Sequence, residues 1–188
     1  MQRTTSRLLL RPLRTEDLAS LFAIYGDLAT NRYNPAGPLI HIDQAQTLLD
    51  DWIRHWSVHG YGLWTVASRT DPDDVIGLGG VGLRAFGEVE LLNLGYRFAV
   101  TAWGQGYATE LSRAALEYGF EELRVPEVFA LVRPAHAASI GVLEKVGMQR
   151  VDVLDDVPGQ APSFVYHTVV ASGCAPQRDE LDISFSHL

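Results

Sequence analysis

The sequence predicts an α/β (α+β) fold: a mixed, largely antiparallel central sheet flanked by helices. Three observations carry that prediction. Apolar runs of strand character alternate with segments of helical period in the order β-α-α-β-β-β-α-β-α-β-β. Many of the strands are neighbours along the chain, and such neighbours usually pair antiparallel. The composition, 47% hydrophobic and 20% charged over 188 residues, belongs to a globular chain long enough for a core without disulfides or structural metal. Residues 1–170 read as a single domain and 171–188 as a polar tail.

The elements follow in order. Arg7 to Leu13 reads as a strand ended by Pro12. Thr15-Glu16-Asp17 reads as a helix start, with Thr15 as cap and two acids at the positive end of the dipole. Leu18, Leu21, Phe22 and Tyr25 continue it at helical spacing, and Gly26 stops it. A polar, proline-rich connector, residues 31–38, leads to a second helix carrying Ala45, Leu48, Leu49, Trp52, Ile53 and Trp56 on one face. Leu63 to Ser68 and Val75 to Leu83 are strands joined by the turn Asp71-Pro72-Asp73-Asp74. The cluster Gly77, Gly79, Gly80, Gly82 marks a strand that bends or approaches another backbone closely. Leu91 to Val100 is a longer strand, Tyr107 to Glu122 a helix, Val128 to Val132 a short buried strand. Ser139 to Val146 is a helix stopped by Gly147, followed by the strand pair 149–154 and 164–170. In the tail, Leu181, Ile183 and Phe185 alternate and can add an edge strand, in this chain or exchanged within a homodimer.

Several function classes are excluded. The formal net charge of -8 argues against non-specific nucleic-acid binding, which needs a basic face, and fits a cationic substrate. No apolar run approaches the ~20 residues that span a bilayer. Leu8-Leu9-Leu10, cut short by Arg11-Pro12, is too brief for a signal-peptide core, so no membrane partner and a cytoplasmic location are expected. The single cysteine, Cys174, has no internal partner and no metal-site surroundings. His55 and His59 stand four apart on a helix without an evident third ligand, so no metal is expected and an ordinary helix-end pair is the simpler reading. Trp52, Trp56 and Trp64 read as core or pocket wall.

Trp103-Gly104-Gln105-Gly106-Tyr107-Ala108-Thr109 lies between the long strand and a helix opening near Gly106. The first helical amides lack partners within the helix and carry partial positive charge, which suits phosphate. Gly104 and Gly106 permit backbone geometry that a Cβ would block. Two glycines alone are a weak signal, equally compatible with a plain turn. The loop falls too late in the chain for the dinucleotide fingerprint, and no Gly-Lys-Ser/Thr follows for a Walker A loop.

The run from Gly95-Tyr96-Arg97-Phe98 through Trp103-Gly104-Gln105-Gly106-Tyr107-Ala108-Thr109-Glu110 resembles the acetyl-CoA signature of the GCN5-related N-acetyltransferase (GNAT) superfamily. It is most similar to the branch that contains the ribosomal-protein N-terminal acetyltransferases. Two further segments match in order: Thr5 to Leu13 with Glu16-Asp17-Leu18, and His136-Ala137-Ala138-Ser139 with Leu143 to Met148. The resemblance covers roughly residues 5–170. It implies that Trp103, Gly104, Gln105, Gly106, Tyr107, Ala108 and Thr109 cradle the CoA pyrophosphate. It implies that the backbone of Phe98, Ala99 and Val100 pairs with the pantetheine arm, between two splayed parallel strands, 91–100 and 128–132. Trp103 replaces the signature's Arg or Gln, His136 replaces an Asn that contacts CoA, and Leu143 replaces a tyrosine acid. Ser139 stands where some members of the branch use a serine to protonate the thiolate.

The activity so implied is transfer of an acetyl group from acetyl-CoA to a primary amine, a peptide N-terminus or a small molecule. With Cys174 in the tail, direct transfer in a ternary complex is the simplest route. An alkylammonium has a pKa near ~10.4 and must lose a proton before attack. Relatives often carry Glu where this chain has Asn93, which can bind substrate or water but cannot act as base. Glu88 and Glu90 lie just upstream, and ideal alternation places both on the opposite face, so Glu90 becomes the base only if a bulge intervenes. Tyr33, in the connector, is an expected acceptor contact by the same resemblance. The competing reading, from Asn93 and Leu143, is a non-catalytic acyl-CoA-binding module.

Overall fold

The computed structural model describes residues 2–86 and 88–169. Among the described residues eight strands form one sheet: β1 (Arg3–Thr4), β2 (Leu8–Pro12), β3 (Leu63–Ser68), β4 (Asp71–Phe86), β5 (Val89–Phe98), β6 (Glu127–Val132), β7 (Gln149–Leu154) and β8 (Ser163–Val169). Their spatial order is β1-β2-β3-β4-β5-β6-β8-β7. Every neighbouring pair is antiparallel except β5 and β6, which run parallel. Four α-helices among the described residues accompany the sheet: α1 (Leu18–Gly26), α2 (Ile42–His59), α3 (Tyr107–Glu121) and α4 (Ala137–Lys145). The expected mixed sheet flanked by helices is therefore present. Cys174 and the alternating residues 181, 183 and 185 lie outside the described residues.

The sheet divides two apolar layers. On one face Val81, Leu92, Leu94 and Phe98 pack with Leu111 and Ala115 of α3 and Leu143 of α4. On the other, Leu78 packs with Leu21 and Ile24 of α1 and Ala45 and Leu49 of α2. The apolar stripe read on α2 is the one buried, and Gly60 closes that helix in a left-handed conformation. Trp64 is fully buried, while Trp52 meets Tyr25 edge-on and Trp56 donates its indole N–H to the Leu63 carbonyl.

The glycine cluster in β4 has the expected cause. A Cβ at Gly79 would lie 2.6 Å from Tyr96 Cβ and 2.8 Å from the Gly95 carbonyl. Strand β5 and the α3 side chain Leu111 therefore close onto β4 only because no side chain stands there.

Two local expectations are corrected. The hairpin between β3 and β4 turns at residues 69–70, and Asp71 to Asp74 already belong to β4. Ser68 pairs with Asp71 and Ala67 with Val75, so residues 72–74 are the excess of a bulged register, and Pro72 gives up no ladder bond. Thr15 is not the cap of a helix. A single 3-10 turn, Thr15–Asp17, precedes α1, and the Asp17 carboxylate instead accepts from the Arg14 amide at 2.8 Å. Besides that amide, two side chains hold the carboxylate: Arg11 binds both its oxygens at 2.6 and 2.8 Å, and the buried Thr65 hydroxyl donates at 2.9 Å.

Candidate active site

Strands β5 and β6 meet at one pair only, Asn93 with Phe129. By contrast β5 pairs with β4 over ten consecutive positions, from Val89 to Phe98. Past Asn93 the two parallel strands therefore separate, and a notch opens between residues 94–98 and 130–132. The N-terminal ends of α3 and α4 both follow from these strand ends, so two sets of first-turn amides converge at the same end of the notch.

At the mouth, Val100–Ala102 makes a 3-10 turn, and the loop to α3 takes two left-handed residues, Gly104 (φ +73°) and Gly106 (φ +77°). Gly106 is the residue that precedes α3, and no side chain caps the helix there. A Cβ at Gly104 would meet no atom within 4 Å, so the requirement for glycine comes from φ rather than from crowding. Uncapped amides at the head of a 15-residue helix, presented by two left-handed glycines, fit a diphosphate.

The loop is braced from behind. Arg7 donates to the Gln105 carbonyl at 2.9 Å and to Glu110 at 2.7 Å, while its guanidinium lies 4.7 Å over the Tyr107 ring. Burial works to raise the Glu110 pKa, but bonds from the Thr5 hydroxyl, the Arg7 amide and the Arg7 side chain hold it below the ordinary range. A groove of about 670 Å³ runs from Gly106 along α3, with Arg7, Thr109 and Arg113 in its wall.

Trp103 is half exposed and donates its indole N–H to the Phe98 carbonyl at 2.9 Å. The Ala99 amide bonds to Ile76, and the Ala99 and Val100 carbonyls close the 3-10 turn. The backbone of Phe98, Ala99 and Val100 is thus largely engaged with the protein itself. The unpaired edge of β5 lies one step earlier, at residues 94–97.

Across the notch, α4 begins after His136. Its Nε2 lies 3.3 Å from Ser139 Oγ, and its ring stacks on Tyr33 at 4.3 Å between centroids. Burial first, and the Arg97 charge second, push the His136 pKa down, so the ring is neutral near pH 7. Tyr96 donates its hydroxyl to the Ser139 carbonyl at 3.5 Å, and burial pushes its pKa up to about 12. The connector that carries Tyr33 is tied to β5 by Arg97, which donates to Asn31 Oδ1 at 2.6 Å and lies 4.1 Å over the Tyr25 ring.

The structure therefore brings together Tyr33, His136 and Ser139, and places the loop 103–109 at the same opening. Asn93 is buried, at 8% exposure, where the strands part. Glu90 is exposed, and the β4–β5 ladder has no bulge, so it stays on the face opposite Asn93. The condition for its role as base is not met. Arg97 was missed by sequence reasoning; its only signal was a cation on a strand position between two aromatics, Tyr96 and Phe98.

Comparison with known proteins bears directly on this arrangement. Residues 7–149 match the family model described as an acetyltransferase (GNAT) domain. The chain is similar to the uncharacterized protein YkkB of Bacillus subtilis, 33% identical over 149 residues, covering 77% of this chain and 83% of YkkB. Its fold is similar to that of a putative GNAT-family acetyltransferase from Bordetella pertussis, with a TM-score of 0.76 and 19% identity over 89% of this chain and 98% of that one. It is also similar to spermidine N-acetyltransferase from Vibrio cholerae, solved with CoA and spermine, with a TM-score of 0.70 and 19% identity over 88% and 96% of the two chains. The chain belongs to the GNAT family and is an acetyl-CoA-dependent N-acetyltransferase.

Proposed function

We propose that this enzyme acetylates a primary amine, a small-molecule alkylamine or a peptide N-terminus, by direct transfer with both substrates bound. The observation that carries the reading is the single β5–β6 pair, because it opens a notch aligned with the left-handed glycine loop. The thioester supplies the acetyl group and a thiolate leaving group; the chain's own residues place and protonate them. Amides of Gly106, Tyr107, Ala108 and Thr109 hold the diphosphate, with Trp103, Gly104 and Gln105 shaping the loop. The open edge of β5 offers backbone to the pantetheine arm as a neighbouring strand would. Ser139 gives its hydroxyl proton to the departing thiolate. His136, 3.3 Å away, orients that hydroxyl and shares in replenishing it. Tyr33 and Asn93 border the acceptor.

Direct transfer is favoured because the chain's one cysteine, Cys174, falls after the last described strand, so the described site holds no thiol for an acyl-enzyme. A cationic amine suits the net charge of -8, and the spermidine acetyltransferase of like fold acts on such an amine. Residues 1–170 are proposed to act as one unit.

The test is a panel of polyamines, aminoglycosides, amino acids and short peptides with acetyl-CoA, followed by thiol release. Turnover of at least one primary amine supports the reading. Acetyl-CoA binding by calorimetry with no turnover on any of them would refute it. Replacing Ser139 by Ala is expected to lower kcat about a hundredfold, the bottom of the range for a proton-transfer group, with KM for acetyl-CoA little changed. An unchanged kcat would leave Ser139 as a helix-start residue only.

A further inference from the structure

Two polar atoms near the origin of the notch are buried without a hydrogen-bond partner among the described residues: Asn93 Oδ1 and His55 Nε2. They belong to neighbouring positions on one face of the sheet. Gly82 pairs with Asn93 across the β4–β5 ladder, so both positions project to one face of the sheet, with Cα atoms about 5 Å apart. A Cβ built at Gly82 would lie 3.9 Å from His55 Nε2, which puts the imidazole on that face, over the position that pairs with Asn93. The absent side chain at Gly82 leaves the room between them. Strand β3 begins only at Leu63, paired with Gly80, so among the described residues no strand pairs with this edge of β4 beyond Gly80, and His55, near the end of α2, lies close to Gly82.

Asn93 Oδ1 is an acceptor, and so is His55 Nε2 in the tautomer that carries its proton on Nδ1. Two desolvated acceptors on neighbouring positions of one face call for a donor, since a buried acceptor left unpaired is destabilising. A donor with several N–H groups and positive charge satisfies both, and the acceptor substrate of this enzyme is such a group. Resting on the reading given above, we propose that His55 is the general base: with Asn93 it takes the acceptor ammonium at the origin of the notch and removes its proton.

The balance is simple. One N–H bond of the ammonium breaks and its proton passes to His55 Nε2, leaving later to solvent. The freed lone pair forms the N–C bond to the acetyl carbon as the C–S bond breaks. The second proton shed by the new amide nitrogen equals the one the thiolate takes up through Ser139.

The ring is held in place and kept neutral. It packs against His59 at 4.4 Å on α2 and meets Tyr61 edge-on at 5.5 Å. Burial first, then the charge of His59, lowers the His55 pKa, and Glu90 on β5 works in the opposite direction. A neutral imidazole is therefore available through the physiological range. Glu90 thus acts on the base from the far face without being the base. Among the described residues no group of three His, Cys, Asp or Glu could hold a metal, so the His55–His59 pair is not read as a metal site.

The first test needs no acceptor. With ring-labelled histidine and saturating acetyl-CoA, the His55 resonance is identified by its loss in H55Q and titrated by NMR. Asn93→Asp is expected to raise the His55 pKa by about one unit or more, as a carboxylate within about 4–6 Å does. No movement would remove Asn93 and His55 from a common cavity and overturn the proposal. The second test takes the fastest alkylamine of the panel. H55Q is expected to lower kcat/KM about a hundredfold and to abolish the acid limb of its pH profile. It should have little effect on a weakly basic aromatic amine that is already neutral at the assay pH. Persistence of the acid limb in H55Q, or equal losses with both amines, would overturn the assignment. Acetyl-CoA affinity, measured by calorimetry on each variant, separates this outcome from a failure of the CoA site.

Discussion

Replacing Asp17 by Ala is expected to cost about 3–5 kcal/mol of folding stability, the range for removing one partner of a buried ion pair. Arg11 and Asp17 expose 13% and 4% of their side chains. The substitution leaves the guanidinium uncompensated, and with it the Thr65 hydroxyl, which is fully buried, and the Arg14 amide. These groups tie β2, β3 and the turn into α1 together, so the loss is felt across the sheet. Urea unfolding should show a lower midpoint with an unchanged slope. A change below about 1 kcal/mol would mean that water replaces the carboxylate freely. The same group predicts an acid dependence. Burial raises the Asp17 pKa, but the bonds from Arg11, Arg14 and Thr65 and the Arg11 charge outweigh it, so the folded value lies below 3.8. Its contribution is then full above the unfolded pKa and is lost as pH falls through the folded value. Near pH 7 the wild type and the variant differ by the full amount; the gap narrows only below about pH 4.

Much of this arrangement could be read from residues close together in sequence. The stripe from Ala45 to Trp56 needed only the helical period, and the start of α3 needed only Gly106 with the unpaired amides behind it. The glycines of β4 announced a close approach, although not that Tyr96 and Leu111 would be what approaches. Readings failed where a partner lies far along the chain. Asp17 looked like a helix-start acid because Thr65, 48 residues away, cannot be seen from its neighbours. Asp71 to Asp74 have the composition of a turn, yet the register of β3 draws them into a bulged strand. Glu90 hinged on a bulge in β5, and only the ladder shows that there is none. His55 is the clearest case. Its spacing from His59 read most simply as an ordinary helix-end pair, and nothing near it in sequence could show that Gly82, the partner of Asn93, lies beside it. Local periodicity specifies elements; strand register decides which side chains meet.

Replacing Gly106 by Val is expected to weaken acetyl-CoA binding about a thousandfold while leaving the fold intact. Gly106 has φ +77°, and a β-branched residue there is strained by about 1–2 kcal/mol whatever the surrounding space. The space itself is open: a Cβ would come no closer than 3.6 Å to Arg7 Nη2. The loop can therefore relieve its strain by turning the peptide units on either side of residue 106. That rotation aims the loop amide and the first α3 amide away from a common point. Two charge-assisted bonds to a diphosphate at about 1.5–3 kcal/mol each are then forfeited, which gives about 3–6 kcal/mol. Helix α3 survives, because its buried face of Leu111, Ala115 and Leu116 is untouched, so the melting temperature should move little. Gly106→Asn supplies the control. Asn enters the left-handed region at far lower cost, so it should keep most of the affinity that Val loses. If Val and Asn weaken binding equally, bulk at the loop matters and not its handedness. If neither weakens it, the α3 head does not hold the diphosphate. Calorimetry with acetyl-CoA on the three proteins decides among these outcomes, and it does so before any acceptor amine is known.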